Sequence, residues 1–224
     1  MGANRVLILV DGMPVSGTTG SAVDVSQLSV LDIERIEVVR GAVSAQYGSA
    51  GMGGVVNVIT RSVKPGIRGS ITADTGTYGN QNPSGDTWDA ASYSGRAMVS
   101  AASEQWGVRV SGSSQHTDGI DPQPETWARP GDEHNRNDGS VRIDWRPSDN
   151  STLAWSGAVF DETSGSRFNL LPGGLVNQGK DEKVRRYRTS FSGDHGNGDG
   201  FRGHWALLHE QLDDDTVKYS AAGA

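Results

Sequence analysis

From about residue 67 the chain alternates apolar and polar positions with a period of two. Trp106, Val108 and Val110 alternate with Gly107, Arg109 and Ser111, and Val141, Ile143 and Trp145 with Arg142, Asp144 and Arg146. Leu153, Trp155 and Val159 continue the theme, as do Tyr187 and Phe191, then Phe201, Trp205 and Leu207. Successive side chains of a strand point to opposite faces, so this alternation predicts strands with one apolar and one polar face. It marks about seven of them, at roughly 67–78, 88–101, 105–116, 138–147, 151–162, 183–194 and 201–212. Each is near the ~10 residues that a tilted barrel strand needs.

The connections alternate in length. Short turns fall near Ser103, Asp149 and Asn197, and longer polar loops at about 79–87, 117–137 and 163–182. Outer-membrane barrels have this asymmetry, with short periplasmic turns and long extracellular loops, so Asn82, Gln123 and Asn177 are expected outside. Trp106, Trp145 and Trp155 sit on the apolar positions close to short turns, where an interfacial aromatic girdle belongs. A soluble antiparallel sandwich also alternates, but it gives no reason for the loop asymmetry or the tryptophan positions.

Residues 1–63 follow a different grammar. Val6–Val10 is a continuous β-prone run stopped by the turn dipeptide Asp11-Gly12, with 13–15 returning after it. Residues 16–21 form a polar Gly/Thr-rich loop, 24–31 predict a short helix capped by Asp24 or Ser26, and Ile33, Ile36, Val38 and Val39 a second strand ending at Arg40-Gly41. After a Gly-rich stretch, 55–60 predicts a third. The expected fold is therefore mixed: a partial α+β unit over 1–63, then an incomplete antiparallel transmembrane β-barrel of about seven strands over 64–224.

Composition agrees. Hydrophobic residues are 34% of the 224, which is low for a soluble core of this size but enough where only every second strand position must be apolar. Gly is 31, about twice the average usage of roughly 7%. No apolar run reaches the ~18 residues of a helical span. The net charge of -7 argues against a nucleic-acid partner, and the absence of cysteine removes thiolate chemistry, disulfides and Cys-bound zinc.

Residues 33–61 read IERIEVVRGAVSAQYGSAGMGGVVNVITR. This closely resembles the C-terminal part of the plug domain of TonB-dependent outer-membrane receptors, whose pattern is roughly IERIEVxRGPxSxxYGxxAxGGVxNIxT. The matching positions include Glu37, Arg40, Gly41, Tyr47, Gly48, Gly53, Gly54 and Asn57, and the upstream VLILVDGMPV resembles the plug strand before an apical loop. The family's proline after Arg-Gly is Ala42 here, which loosens that turn.

The resemblance implies the second half of a plug followed by the first strands of a barrel that closes with about 22, so the chain is expected to be a fragment. It implies an outer-membrane transporter, not an enzyme, without a cofactor, importing a scarce ligand such as a ferric siderophore, cobalamin or haem. Its partners would be the TonB energy-coupling complex, through a segment outside this sequence, and outer-membrane lipid. Ligand contact falls to the apical loop Ser16, Gly17, Thr18, Thr19, Gly20 and Ser21. In the family, plug arginines face acidic barrel residues, which is the expectation for Arg40, with Glu37 as a second ion-pair candidate. A secreted or surface β-sheet adhesin without transport is the alternative.

Other chemistry is weaker. Gly51 to Gly54 lack the Lys-Ser/Thr of a phosphate loop, and a single Asn197 to Gly200 stretch reads as a turn. The five histidines show no metal-ligand spacing; Asp118, Asp121, Glu125, Asp132 and Glu133 crowd one loop and read as a solvated acidic face.

Overall fold

The structure is a computed structural model that describes residues 6–17, 23, 33–41, 53–123, 126, 128–169, 177–196, 200 and 202–221. The described residues form two sheets, one of four strands and one of seven. The first contains β1 (Val6–Val10), β2 (Met13–Pro14), β3 (Ile33–Arg40) and β4 (Gly54–Thr60), in the order β2-β1-β4-β3. Asp11 and Gly12 both have positive φ, 50° and 78°. Two such residues between paired Val10 and Met13 make the turn whose twist suits a tight hairpin, hence Asp-Gly. β1 pairs parallel to β4, and β3 pairs antiparallel on the other side of β4. Ile8, Leu9, Met13, Val15, Val55 and Val58 are buried in this unit, as a two-sided parallel pairing of Val/Ile/Leu runs requires.

The second sheet is an antiparallel meander of β5 (Gly66–Gly76), β6 (Ser92–Ala102), β7 (Trp106–Thr117), β8 (Arg129–Ser148), β9 (Ser151–Asn169), β10 (Asn177–Gly196) and β11 (Arg202–Ala221), paired in chain order. Its polarity is inverted relative to a soluble sheet. Along β7, Val108 and Val110 are 40% and 45% exposed while Arg109 between them is 4% exposed. The register carries this across the sheet. Ile67, Ala101, Val108, Ile143, Trp155, Phe191 and Leu207 lie in one transverse row on the outward face. The adjacent inward row is Arg68, Ser100, Arg109, Arg142, Ser156, Ser190 and Leu208. Water on the apolar face would leave a large hydrophobic patch, whereas hydrocarbon would solvate it.

Short connections at 103–105, 149–150 and 197–201 alternate with longer ones at 77–91, 118–128 and 170–176. Trp106 and Trp145 are directly paired and stack at 5.3 Å, and Phe191 stacks on Trp205 at 5.8 Å, so aromatic rings band the short-turn end.

Two expectations change, and a third is not shown among the described residues. The α component rested on a helix at 24–31, which lies outside the described residues; what is described of the first unit is β, and the whole described chain holds one turn of 3-10 helix (Gly79–Gln81) and no α-helix. β8 to β11 run for 19 or 20 residues, not about ten, and take in residues 129–137 of the loop expected at 117–137 and most of that expected at 163–182. Along β8 and β10 both faces are polar beyond the apolar band, so hydropathy stops alternating there while the backbone ladder continues, accompanied by cross-strand pairs such as Arg185–Asp161 at 2.9 Å and Arg136–Glu162. Finally, 88–91 belongs to a loop, not a strand, because the Asn82 side chain, fully buried, gathers it: Nδ2 donates to the carbonyls of Asp86 and Asp89 while Oδ1 accepts the Tyr78 N–H.

At Gly193 a Cβ would lie 2.6 Å from the Trp205 ring. Gly193→Ala is expected to push that ring off Phe191 and cost about 1 kcal/mol, the worth of one aromatic pair. Tryptophan fluorescence and the unfolding midpoint in detergent measure it; an unshifted midpoint with unchanged emission sinks the stacking argument.

Candidate functional site

The four-stranded unit sits on the polar face of the seven-stranded sheet, and the contact is made chiefly by the β1–β2 turn and the end of β4. Asp11, forced into positive φ by the turn, aims its carboxylate back at Thr60: Oδ1 accepts the Thr60 N–H at 2.8 Å and Oδ2 accepts the Thr60 hydroxyl at 2.6 Å. Arg142 of β8 donates to Asp11 Oδ2 and Thr60 Oγ1, both at 3.4 Å, and through Nε to Asp144 at 2.9 Å. Arg109 of β7 donates to the Arg61 carbonyl.

The second contact is denser. Arg186 and Arg188, two apart on β10, share the inward face with Glu210, which is registered opposite Arg188 on β11. Glu210 accepts from Arg186 at 2.9 Å, from Arg188 at 2.5 Å and from the Ser16 N–H at 2.7 Å. The guanidinium groups also donate to backbone carbonyls of the first unit: Arg186 to Ser16 at 2.8 Å, Arg188 to Pro14 at 3.0 Å and to Met13 at 3.2 Å. Side-chain exposures of 5%, 11% and 4% for Arg186, Arg188 and Glu210 put all three charges out of bulk water. Burying charges this way is tolerable only where hydrogen bonds replace hydration, and the carbonyls of Met13, Pro14 and Ser16 supply part of that replacement.

A cavity of about 110 Å³ lies between the two layers, lined by Val10, Met13 and Val58 on one side and Ser156, Phe160 and Arg188 on the other. Ligand pockets usually measure roughly 300–1,000 Å³, so this space suits a few waters and not a large chelate.

Of the residues singled out in the sequence, Ser16 and Gly17 are described and exposed, with Ser16 held by Glu210 and Arg186 as above. Thr18, Thr19, Gly20, Ser21, Tyr47 and Gly48 lie outside the described residues. Asn57 accepts the Gly12 N–H at 3.0 Å and so braces the hairpin turn from the neighbouring strand β4. Glu37 pairs with Arg35 at 2.9 Å within β3, and Arg40 is exposed with no ion pair among the described residues. Gly41 has φ of 98° with open space around it. Gly53 precedes β4, and Gly54 has φ of 127° with the Val39 carbonyl 2.7 Å from where a Cβ would stand. The acidic loop has no grouping suited to a metal ion among the described residues: His116 contacts Asp118 at 2.9 Å, and Asp121 is buried and accepts the Gln123 N–H.

Sequence reasoning did not single out Asp11, Arg142, Arg186, Arg188 or Glu210. Asp11 was legible only as a turn residue. The arginines were legible as polar positions of alternating strands, with nothing to tell an inward arginine that meets a second layer from one in solvent.

Comparison with known proteins identifies the first part. Residues 1–55 match the family model described as TonB-dependent Receptor Plug Domain. The fold of the chain is similar to that of the siderophore receptor PirA from Pseudomonas aeruginosa, at 23% identity and TM-score 0.56, over 98% of this chain and 44% of that one. The ferric yersiniabactin uptake receptor FyuA from Yersinia pestis aligns at 14% identity and TM-score 0.62, over 97% and 41%. A mutant of the ferric enterobactin receptor PfeA from Pseudomonas aeruginosa, in complex with enterobactin, aligns at 19% and 0.58, over 94% and 38%. The chain thus spans less than half the length of each of these receptors. The plug match and the shared fold support a TonB-dependent receptor fragment.

Gly54→Ala adds a Cβ against backbone at a φ that only glycine adopts freely, and is expected to cost about 2–3 kcal/mol. Gly41→Ala, equally left-handed but with no atom in the way, is expected to cost about 1 kcal/mol. Unfolding midpoints of the two variants, compared side by side, check the difference; equal shifts would show that the Val39 carbonyl is not the obstacle.

Proposed function

We propose that this chain is the second half of a plug, 1–63, and the first seven strands of the barrel, 64–224, of an outer-membrane receptor that imports a ferric siderophore or a similar scarce ligand such as cobalamin or haem, with energy supplied through TonB. The observation that carries the proposal is the inverted sheet: its arginine-bearing face is covered by the plug-matched unit and its apolar face is left outward. That arrangement needs hydrocarbon on one side and a hydrated, plugged lumen on the other. The sheet is open at β5 and β11. Unpaired edges cannot persist in lipid, so further strands must close the wall.

In this reading no residue does covalent chemistry, and the protein is a transporter and not an enzyme. The short turns at 103–105, 149–150 and 197–201 face the periplasm, with Trp106, Trp145 and Trp205 at the inner lipid boundary. The loops at 77–91 and 118–128 face outward. The ligand meets the plug at loop 16–21, whose stem the wall holds at Ser16. The ferric siderophore class is favoured by the receptors that share the fold; the individual ligand depends on outer loops without fixed chemistry.

Because the chain has no cysteine, single substitutions report topology cleanly in the longer receptor on intact cells. Asn82 would be a poor reporter, being fully buried, and Asn177 begins a strand; Ser84 and Gln123 are exposed and replace them. Ser84→Cys and Gln123→Cys are expected to react with a membrane-impermeant maleimide, and Ser103→Cys and Asp149→Cys only after the membrane is breached. The reverse pattern inverts the topology, and equal labelling of both sets favours a surface adhesin.

A further inference from the structure

We infer that Glu210, clamped between Arg186 and Arg188, is a positioning residue for loop 16–21: the three side chains form a latch on the wall that holds the stem of that loop at residues 13 to 16. The inference rests on the reading of 16–21 as the ligand-facing loop of the plug.

The contacts have an unusual division of labour. The described bonds from the wall to the stem go to main chain, to the carbonyls of Met13, Pro14 and Ser16 and to the Ser16 N–H. The latch therefore recognises the path of the stem and not its side chains. Glu210 is the member that works in both directions, since one carboxylate bridges two arginines and accepts the stem's amide. Two guanidinium groups and one carboxylate leave one positive charge, and the three carbonyl dipoles of the stem help to solvate it. If the stem departs, Arg186 and Arg188 lose those carbonyls but keep Glu210, so the wall half survives intact and ready to close again. The other charged contact, Arg142 to Asp11 at 3.4 Å, lies at the far side of the hairpin turn and is longer. The stem is thus fixed by its β1 pairing at one end and by the latch at the point where the loop begins.

The test uses the longer receptor that contains this chain, with Gly17→Cys as an exposed reporter beside the latch. Glu210→Gln and, separately, Ser16→Pro, which deletes the amide donor without touching the wall, are expected to raise the rate of maleimide labelling at position 17 about tenfold, the weight of one charge-assisted hydrogen bond. Arg136→Met, which breaks the pair with Glu162 higher on the same wall, is the control and is expected to leave the rate at the parental value. The global unfolding midpoint is read alongside, so that faster labelling counts for the latch only where the barrel remains folded; Ser16→Pro supplies the answer if Glu210→Gln does not fold. Binding of ferric enterobactin, the probe, is expected to weaken at least about fivefold in both latch variants. Parental labelling rates in Glu210→Gln and Ser16→Pro overturn the latch, as does an equal rise in Arg136→Met. A rise in labelling with unchanged ferric enterobactin affinity overturns the ligand role of loop 16–21, and with it that part of the proposed function, while the latch as a contact stands.

Discussion

The structure depends on one constraint: a seven-stranded sheet whose polar side is buried and whose apolar side is not. Arg109 is nearly hidden while Val108 and Val110 beside it are open. In water this arrangement would be unstable twice over, since arginines would be desolvated and valines left wet. Both costs vanish only if the apolar face meets hydrocarbon and the polar face meets a second polar layer. The first four strands supply part of that layer, and their position is consequently dictated by the needs of the wall as much as by their own core.

That second layer meets the wall through main chain. Asp11 is the one acidic side chain it offers to an inward arginine among the described contacts; the rest are carbonyl oxygens and an amide. In these contacts the cations stand on β8 and β10, and the first unit answers with the Asp11 carboxylate and the carbonyls of Met13, Pro14 and Ser16. The turn geometry follows from Asp11 and Gly12 at positive φ, braced by Asn57, so a local backbone preference in the sequence ends as an electrostatic contact across two layers.

Much of this was legible beforehand, for identifiable reasons. Period-two alternation located all seven strands of the second sheet, because one face keeps an apolar pattern at positions such as Trp106, Ile143 and Phe191. It missed the far halves of β8 to β11, where in β8 and β10 both faces are polar and the ladder hydrogen bonds carry no hydropathy signal. The Asp11-Gly12 turn and the ends of β1, β3 and β4 were legible from β-branched runs and glycines. The latch was not: Arg186, Arg188 and Glu210 are separated from Ser16 by some 170 to 194 residues, and polar positions in alternating strands look the same whether they meet solvent or another layer. Asn82 shows the same limit in reverse, since a loop asparagine that reads as exposed turns out to be the fully buried centre of its loop.

The polar character of the interface has an energetic consequence. Separating two apolar surfaces in water costs free energy in proportion to their area. Separating a surface of arginines from backbone carbonyls exchanges protein hydrogen bonds for water hydrogen bonds, and the net change per bond to a charged group is about 1.5–3 kcal/mol. The buried Arg186–Glu210–Arg188 group regains hydration when water enters, which offsets much of what the lost carbonyls had contributed. A unit joined to a sheet in this way is held in a defined place by directional bonds, and water that follows it offsets part of the cost of separation. The small cavity beside Met13 and Arg188 is a place where it could begin to do so. Inward arginines facing carbonyls thus give positional specificity without strong net adhesion, which an apolar seam would not.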